Sequence, residues 1–171
     1  YILDVFFAGN DGAVYQAHWY RDPTVCSVCG GCQGPPTAGE WWSPEPITPA
    51  GVVPPGAPIA AVSRAPGDID VFAVEKNGAI YHAGSFRNEE WSSPGVINGT
   101  YTLLSPGAHI AAAAPRPDLL HVFAVGKSGE LRSAWQQDGV NQNQWNCAGC
   151  QTSPAVYAPG GSIVALSRKP G

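Results

Sequence analysis

Three copies of one short sequence unit make up almost the whole chain. Residues 4–7 read Asp-Val-Phe-Phe, and the pattern returns as Asp-Val-Phe-Ala at 70–73 and as His-Val-Phe-Ala at 121–124. Each copy is followed by a glycine-containing turn and a second apolar stretch. A period of about 50 residues is typical of repeat architectures, in which each unit buries its apolar face against the next one. The chain is therefore expected to fold as an array of similar units.

Each unit is predicted to form four short antiparallel strands. In the second unit we place them at 58–64, 69–74, 79–86 and 90–96. The Asn-Gly pair between the second and third strands indicates a tight hairpin, because both central residues of that turn need positive φ. The first strand contains Ile-Ala-Ala-Val, which is apolar on both faces and predicts an innermost strand buried from two sides. Four-stranded units repeated radially form a β-propeller, so the predicted fold is an all-β propeller built of four-stranded blades.

The repeat divides the chain into three blades and a final strand. The blades cover about 1–55, 56–106 and 107–159, and the first of them carries an insertion at about 25–37. The first blade lacks the leading strand of the other units. The missing strand is found at the other end of the chain, where residues 160–171 match the start of the second unit, including a Ser-Arg-x-Pro-Gly ending. Joining the last residue to the first would restore an uninterrupted repeat.

Three blades cannot close a ring, since propellers have about 4–8 blades. We therefore predict that another chain or additional blades complete it, and we favour a six-bladed dimer. In that dimer the strand 163–167 of one chain lies beside the strand 3–7 of its partner. A longer precursor with six or seven blades is one alternative. An elongated assembly is the other, because head-to-tail contacts close into rings only at the right rotation.

Composition excludes some partners and suggests a compartment. Only 13% of residues are charged and the net charge is −4, which argues against a nucleic-acid partner. No apolar run approaches the roughly 18 residues of a membrane span. Met is absent, so the N-terminus is expected to be processed or the chain to be part of a longer product. Five cysteines and the glycosylation acceptor pattern at Asn98 favour a secreted or extracellular surface protein.

The cysteines form two copies of one motif and one extra residue. Cys29 and Cys32 repeat the spacing of Cys147 and Cys150, and Cys26 stands outside the pairs. All five are candidates for disulfides, either within each loop or between loops or chains. Two Cys-x-x-Cys pairs also suit a four-thiolate zinc site, but their separation is not that of a compact zinc ribbon, so we assign no metal.

The second unit resembles the blade repeat of propeller lectins of the fucose-binding bacterial and fungal kind. Those blades read as a hydrophobic-Asp-Val-Phe strand, an Asp-Gly-Ala turn, a Leu-Tyr/Trp-His strand and a Trp-Ser ending. The resemblance covers nearly the whole chain and implies carbohydrate binding. One fungal branch holds fucose with an arginine on the second strand and a glutamate on the third. Here the second-strand positions hold Asp4, Asp70 and His121, and the third-strand positions hold Gln16, His82 and Ser133. That pair is absent, so the branch with aromatic-lined sites between blades is the nearer model.

Aromatic and arginine side chains are the candidates for ligand contact. A flat indole matches the C–H face of a sugar, and neighbouring polar groups match its hydroxyls. The predicted ligand-binding residues are Trp19, Tyr20, Trp42, Phe86, Trp91, Trp135, Trp145, Arg64 and Arg168. The competing interpretation is that Trp41, Trp91 and Trp145 seal neighbouring blades together. For the arginines it is an ion pair with Asp68, Asp70 or Asp118.

Catalysis has little support in the sequence. The four histidines fall on different predicted strands without metal-type spacing. No nucleophile elbow, phosphate loop or paired-carboxylate motif is present. We therefore expect a secreted glycan-binding module that is not an enzyme and needs no cofactor. The alternative is a self-assembling extracellular module, joined into a fibre or scaffold by strand exchange and cysteine bridges. A non-catalytic domain of a larger hydrolase is a weaker third interpretation.

Overall fold

A computed structural model describes residues 2–20, 41–86, 90–92, 95–97, 104–138, 145–146 and 157–168. These residues form three antiparallel sheets that follow one another along the chain. Within these ranges, no helix is long and apolar enough to cross a membrane.

The first sheet contains three strands in chain order. They are β1 (Ile2–Ala8), β2 (Val14–Tyr20) and β3 (Glu45–Pro46). Phe7 lies opposite Tyr15 and Leu3 lies opposite Trp19 in the β1–β2 register. Among the described residues, β1 is an edge strand of this sheet, because no strand pairs with it on the side where the other sheets carry their inner strand.

The second and third sheets repeat this hairpin and add an inner strand before it. The second sheet has the order β4 (Ile59–Ala65), β5 (Asp68–Val74), β6 (Ile80–Ser85) and β7 (Gly95–Val96). The third contains β8 (Ile110–Arg116), β9 (Leu119–Val125) and β10 (Leu131–Gln137), with a single bridge from Trp135 to Asn146 beyond β10. The predicted all-β organisation in blade-like units is confirmed.

The described part of the fourth strand expected at 90–96 does pair with β6: Gly95–Val96 lie opposite His82 and Tyr81, and Ser92 donates its backbone N–H to the Gly84 carbonyl at 2.7 Å. One expectation about the inner strand was wrong. The inner strand was expected to be buried on both faces. Ala61 and Ser63 are exposed, because β4 is the edge strand of its sheet and lies beside β8 of the next blade.

Each hairpin turn is fastened to the loop that leads into the next blade. Gly78 adopts a φ of 83° in the turn between β5 and β6, and Leu104 donates its backbone N–H to the Gly78 carbonyl at 3.1 Å. The first and third blades repeat this bond, with lengths of 3.0 Å and 2.9 Å, and the pairs are Val53 with Gly12 and Tyr157 with Gly129. The repeat therefore fixes the connection between blades as well as the blades themselves.

The hydrophobic core lies between consecutive sheets. One cluster joins the first and second blades and includes Val14, Val53 and Val71. A second cluster joins the second and third blades and includes Phe72 and Leu120. Burial of this kind contributes about 25 cal/mol per Å² of apolar surface, so each blade is stabilised mainly by its neighbours.

The C-terminal segment 161–168 forms no strand within the single chain. It lies along the third blade, where the Ser167 hydroxyl donates to the Ala114 carbonyl at 3.2 Å. The predicted pairing of 163–167 with the 3–7 strand of a partner chain stays a prediction.

Candidate functional site

The junction between the first and second blades carries a polar cluster centred on Asp4. Asp4 Oδ1 accepts a hydrogen bond from Gln16 Nε2 at 3.1 Å and lies 2.6 Å from His18 Nδ1. Gln16 Oε1 in turn accepts the indole N–H of Trp91 at 3.1 Å. Trp91 belongs to the second blade and also stands edge-on to Phe6, with 5.9 Å between ring centroids. A tryptophan of one blade thus closes a polar pocket on the blade before it.

Strand register explains why these side chains meet. Asp4 is paired with His18 and Phe6 with Gln16 across the β1–β2 hairpin. Side chains on paired positions point to the same face of a sheet, so all four project from the face that meets the second blade. The first blade therefore presents alternating carboxylate, aromatic and amide groups to its neighbour.

The junction between the second and third blades repeats the arrangement. Asp70 Oδ1 lies 2.8 Å from His82 Nε2, and Asp70 Oδ2 accepts a hydrogen bond from Arg64 Nε at 2.8 Å. Arg64 also reaches Asp138 of the third blade, with Nη1 3.2 Å from Oδ1. The Asp70 side chain is only 2% exposed, so its charge is compensated by the arginine inside the junction.

Aromatic rings complete this second junction. His82 stacks on Phe72 with centroids 4.8 Å apart, and Trp145 of the third blade stands edge-on to both rings. The common plan is a second-strand carboxylate, a third-strand amide or imidazole and a tryptophan from the following blade. Such a surface offers hydrogen-bond acceptors and donors beside an apolar ring, which suits a ligand with hydroxyls on one side and C–H groups on the other.

The third blade presents the same positions, and no described residues form a further blade beside it. His121 stacks on Phe123 with centroids 5.8 Å apart, and burial lowers the pKa of His121, so its ring is neutral at neutral pH. These residues line a cavity of about 840 Å³ together with Ala113, Leu131 and the C-terminal segment. This end of the chain therefore carries half of a junction.

The structure distributes the predicted ligand residues over several places. Trp91, Trp145 and Arg64 lie at the two junctions, and the ion pair of Arg64 with Asp70 is the structural role weighed for that arginine. Trp19 and Trp135 lie half-buried on the first and third sheets. Of the remaining predicted residues, Trp42 is half-buried and its backbone N–H binds the His18 carbonyl. Phe86 is 51% exposed, and Arg168 is exposed in the C-terminal segment.

Several predicted residues lie outside the part of the chain that the structure describes. These are the disulfide candidates Cys26, Cys29, Cys32, Cys147 and Cys150, the acceptor Asn98, and the side chain of Tyr20. Among the described residues, no three His, Cys, Asp or Glu side chains come together as metal ligands would.

Sequence reasoning missed the contribution of Gln16, His82 and Asp138 to the junctions. Gln16 and His82 were noticed only as departures from an arginine–glutamate pair. The signal that identifies them is their shared register position, one residue after the Tyr of Val14-Tyr15 and Ile80-Tyr81. Asp138 gives no such signal, because it reaches Arg64 from the end of another blade.

Solved structures similar to this chain are lectins. The BP39L lectin from Burkholderia pseudomallei is 29% identical, with a TM-score of 0.75, over 95% of this chain and 41% of that one. A mutant Aleuria aurantia lectin in complex with Fucα1-6GlcNAc is 20% identical, with a TM-score of 0.57, over 96% and 46%. The SapL1 lectin in complex with α-methyl fucoside is 17% identical, with a TM-score of 0.58, over 96% and 49%.

These matches confirm the resemblance to propeller lectins of the fucose-binding kind and the interpretation of the three sheets as propeller blades. The chain spans less than half the length of each of these lectins. No family model and no curated protein matches the sequence.

Proposed function

We propose that this chain is a secreted, non-catalytic carbohydrate-binding module whose shallow sites lie between adjacent blades. The observation that carries the proposal is the repeated junction, in which Trp91 closes over Gln16 and Asp4, and Trp145 closes over His82 and Asp70. The similarity to lectins supports the same function.

The two junctions differ in how accessible their carboxylates are. The side chain of Asp4 is 19% exposed, whereas that of Asp70 is 2% exposed and already holds Arg64. A sugar hydroxyl can donate to a half-buried carboxylate at a lower cost than to a fully buried one, where it would have to displace an ion pair. The Asp4 junction is therefore the stronger glycan site of the two.

Single sites of this kind bind weakly, and repetition compensates for that weakness. Each site offers one indole and two or three polar groups in shallow, partly hydrated surroundings. Several sites on one particle raise the apparent affinity for a multivalent glycan surface without any new contact. The ligand is therefore expected to be a surface-displayed glycan. Because the arginine–glutamate pair is absent, fucose is one sugar to test among several.

The experiment is a glycan array followed by titration calorimetry with the free monosaccharides that the array selects, with methyl α-fucoside and methyl α-mannoside included. We expect binding that free monosaccharide inhibits. The test variants are Gln16→Ala at the first junction and Trp19→Ala plus Trp135→Ala among the outer aromatics. Glu45→Gln is the control, because Glu45 is exposed on β3 although its backbone is paired with that of Gln16.

The results separate ligand contact from packing. We expect Gln16→Ala to weaken binding about tenfold, which corresponds to the loss of roughly one hydrogen bond, while Glu45→Gln leaves it unchanged. The proposal fails if no glycan binds to the wild-type chain while its circular dichroism spectrum shows that it is a folded β protein. It fails equally if the variants change only the melting temperature.

A self-assembling extracellular module is the second candidate function. It is favoured by the exposure of Leu3 and Val5 on β1, whose outer edge pairs with no described strand, since such edges template strand addition. Non-reducing gels and light scattering discriminate it from a solitary lectin. A monomer that does not respond to reductant would remove this candidate.

A further inference from the structure

One position of the hairpin turn holds a different residue in each blade. A glycine with positive φ follows that position every time, and these glycines are Gly12 at 78°, Gly78 at 83° and Gly129 at 80°. The residues before them are Asp11, Asn77 and Ser128. In all three turns the glycine N–H donates to the carbonyl three residues earlier, at 3.1, 3.0 and 3.0 Å in chain order. The chain therefore contains one backbone turn in three chemical versions.

The second blade carries the chemically reactive version. Asn followed by Gly is the pair in which a backbone amide most readily attacks the preceding side chain, because Gly has no Cβ to hinder the approach. The Gly78 nitrogen forms a bond to Asn77 Cγ, the bond from Cγ to Nδ2 breaks, and ammonia leaves with the proton from Gly78. Water then opens the cyclic imide. Hydrolysis at Cγ gives Asp, whereas hydrolysis at the backbone carbonyl gives isoaspartate.

The folded turn opposes this attack although Asn77 is exposed. Asn77 Oδ1 accepts the Ala79 N–H at 2.8 Å, which ties the side chain to the backbone beyond the turn. The Gly78 N–H donates to the Glu75 carbonyl at 3.0 Å, and the Gly78 carbonyl accepts the Leu104 N–H at 3.1 Å. Closing the imide ring has to rotate the peptide unit between Asn77 and Gly78, so it displaces both groups of Gly78 from their partners.

Packing against the next loop prevents the turn from rotating alone. Gly78 is buried, and a Cβ built on it would run into the Leu104 carbonyl oxygen. Ala79 is 0% exposed and Leu104 is 1% exposed. The peptide unit at Gly78 can therefore turn only when the loop that leads into the third blade comes away. Reaction at Asn77 thus requires local unfolding.

The first blade shows that the Asp product fits the turn. Asp11 Oδ1 accepts the Ala13 N–H at 3.0 Å, in the same way as the Asn77 amide oxygen does in the second blade. The Val53 N–H donates to the Gly12 carbonyl at 3.0 Å, so the attachment to the following loop is kept as well. Conversion of Asn77 to Asp leaves the backbone length and the accepting oxygen unchanged.

The isoaspartate product does not fit. Its main chain runs through Cβ and Cγ of residue 77, which places one additional atom between Cα and the Gly78 nitrogen. The oxygen that accepted the Ala79 N–H then belongs to the main chain. Gly78 has no space in which to take up the longer path, because the backbone of Leu104 lies against it. The bonds that hold Gly78 to Glu75 and Leu104 therefore cannot all form.

We propose that Asn77 is a modification site controlled by folding. The folded chain protects its amide, and the unfolded chain deamidates it through the Gly78 nitrogen. The Asp product refolds, whereas the isoaspartyl product leaves the turn detached from the loop at Leu104, between the second and third blades. The turn is separate from the residues to which we assign glycan binding, so this site is independent of the proposed function.

The first experiment compares the rate of deamidation in the folded 171-residue chain with the rate in urea, at mildly alkaline pH. Peptide mapping by mass spectrometry measures conversion of the amide at Asn77 separately from the other Asn-Gly pair, at Asn98. A synthetic peptide of residues 72–82 in the same two buffers corrects for any effect of urea on the chemistry. We expect the folded chain to react at least about tenfold more slowly than the peptide, and the unfolded chain to match it. Equal rates in the folded chain and the peptide would overturn the proposal.

Two variants test whether the turn itself gives the protection. Asn77→Ser introduces the residue of the third blade, so it should fold as the wild type does and show no conversion at position 77. Asp11→Asn creates an Asn-Gly pair in the equivalent turn of the first blade. Position 11 should then be protected in the folded chain and reactive in urea. Reaction there at the rate of the free peptide in the folded chain would show that the turn does not protect.

The second experiment tests the fate of the two products in an Asn98→Gln background, where Asn77 begins the one remaining Asn-Gly pair. Ion exchange separates the deamidated chains, which carry one more negative charge, and an endoprotease that cleaves before Asp but not before isoaspartate distinguishes them. After removal of urea, we expect the Asp fraction to melt as the same chain made with Asn77→Asp does. The isoaspartyl fraction should stay unfolded or melt at a lower temperature. An isoaspartyl chain that melts as the unmodified chain does would overturn the proposal.

Discussion

The indole of Trp145 stands edge-on to the ring of Phe72, with the centroids 5.5 Å apart and the ring planes at 90°. The pair joins the third blade to the second. One blade earlier, Trp91 meets Phe6 at 5.9 Å and 87°. A contact repeated this closely is a property of the repeat unit, and it makes each blade depend on the blade that follows.

Trp145→Ala should therefore destabilise the chain by about 3 kcal/mol, the lower end of the range for removing a large aromatic group from a packed site. The same substitution at Trp41, whose ring is 52% exposed, should cost less than about 0.5 kcal/mol. Urea unfolding followed by circular dichroism measures both changes. Equal losses at the two positions would show that the junction contact contributes nothing.

Asp70→Asn should be more damaging than Asp4→Asn. Asp70 is the buried partner of Arg64, and neutralising it leaves the guanidinium, 16% exposed, without its nearest compensating charge. The expected loss is about 3 kcal/mol, as for other broken buried pairs. Asp4 is more exposed and its neighbours are Gln16 and His18, so the loss there is about 1 kcal/mol. Melting temperatures of the two variants compare them directly, and the reverse order would contradict the assignment.

The repeat made the hairpins of the blades predictable, but not the junctions. The Val-Phe strands and the Asn-Gly and Asp-Gly turns report local preferences, which act over a few residues.

The junction residues were harder to recognise for a different physical reason. Gln16 and Trp91 lie 75 positions apart and meet only because two blades pack face to face. Trp91 was singled out because indoles are informative in any setting, whereas a glutamine or a histidine on a strand usually is not. Only the superposition of three equivalent registers shows that Asp4, Gln16 and Trp91 form one unit.

The hairpin turn at Gly78 offers a sharp test of the loop attachment. A Cβ at this position would run into the carbonyl oxygen of Leu104, and the φ of 83° disfavours any L side chain. Gly78→Ala should cost about 1–2 kcal/mol for the left-handed backbone and more for displacing the loop. Gly56→Ala is the control, since Gly56 has a φ of 68° and open space around its Cβ. Unfolding free energies should differ clearly between the two, and equal values would mean that the loop yields freely.

Glu130 should make the third blade sensitive to acid. Burial raises the pKa of its carboxyl, but hydrogen bonds from its own N–H, from Arg132 and from Ser128 outweigh that effect, so the pKa lies below its ordinary value of 4.5. The unfolded chain thus binds the proton more readily, and the stabilisation is complete above pH 4.5 and is lost as the pH falls through the folded pKa. Glu130→Gln should cost about 1–3 kcal/mol near neutral pH, because it leaves donors facing an amide. It should also flatten the pH dependence of unfolding below 4.5, which urea titrations at several pH values measure. Glu45→Gln, at an exposed site, should leave that dependence unchanged, and an equally steep acid loss in Glu130→Gln would place the sensitive carboxylate elsewhere.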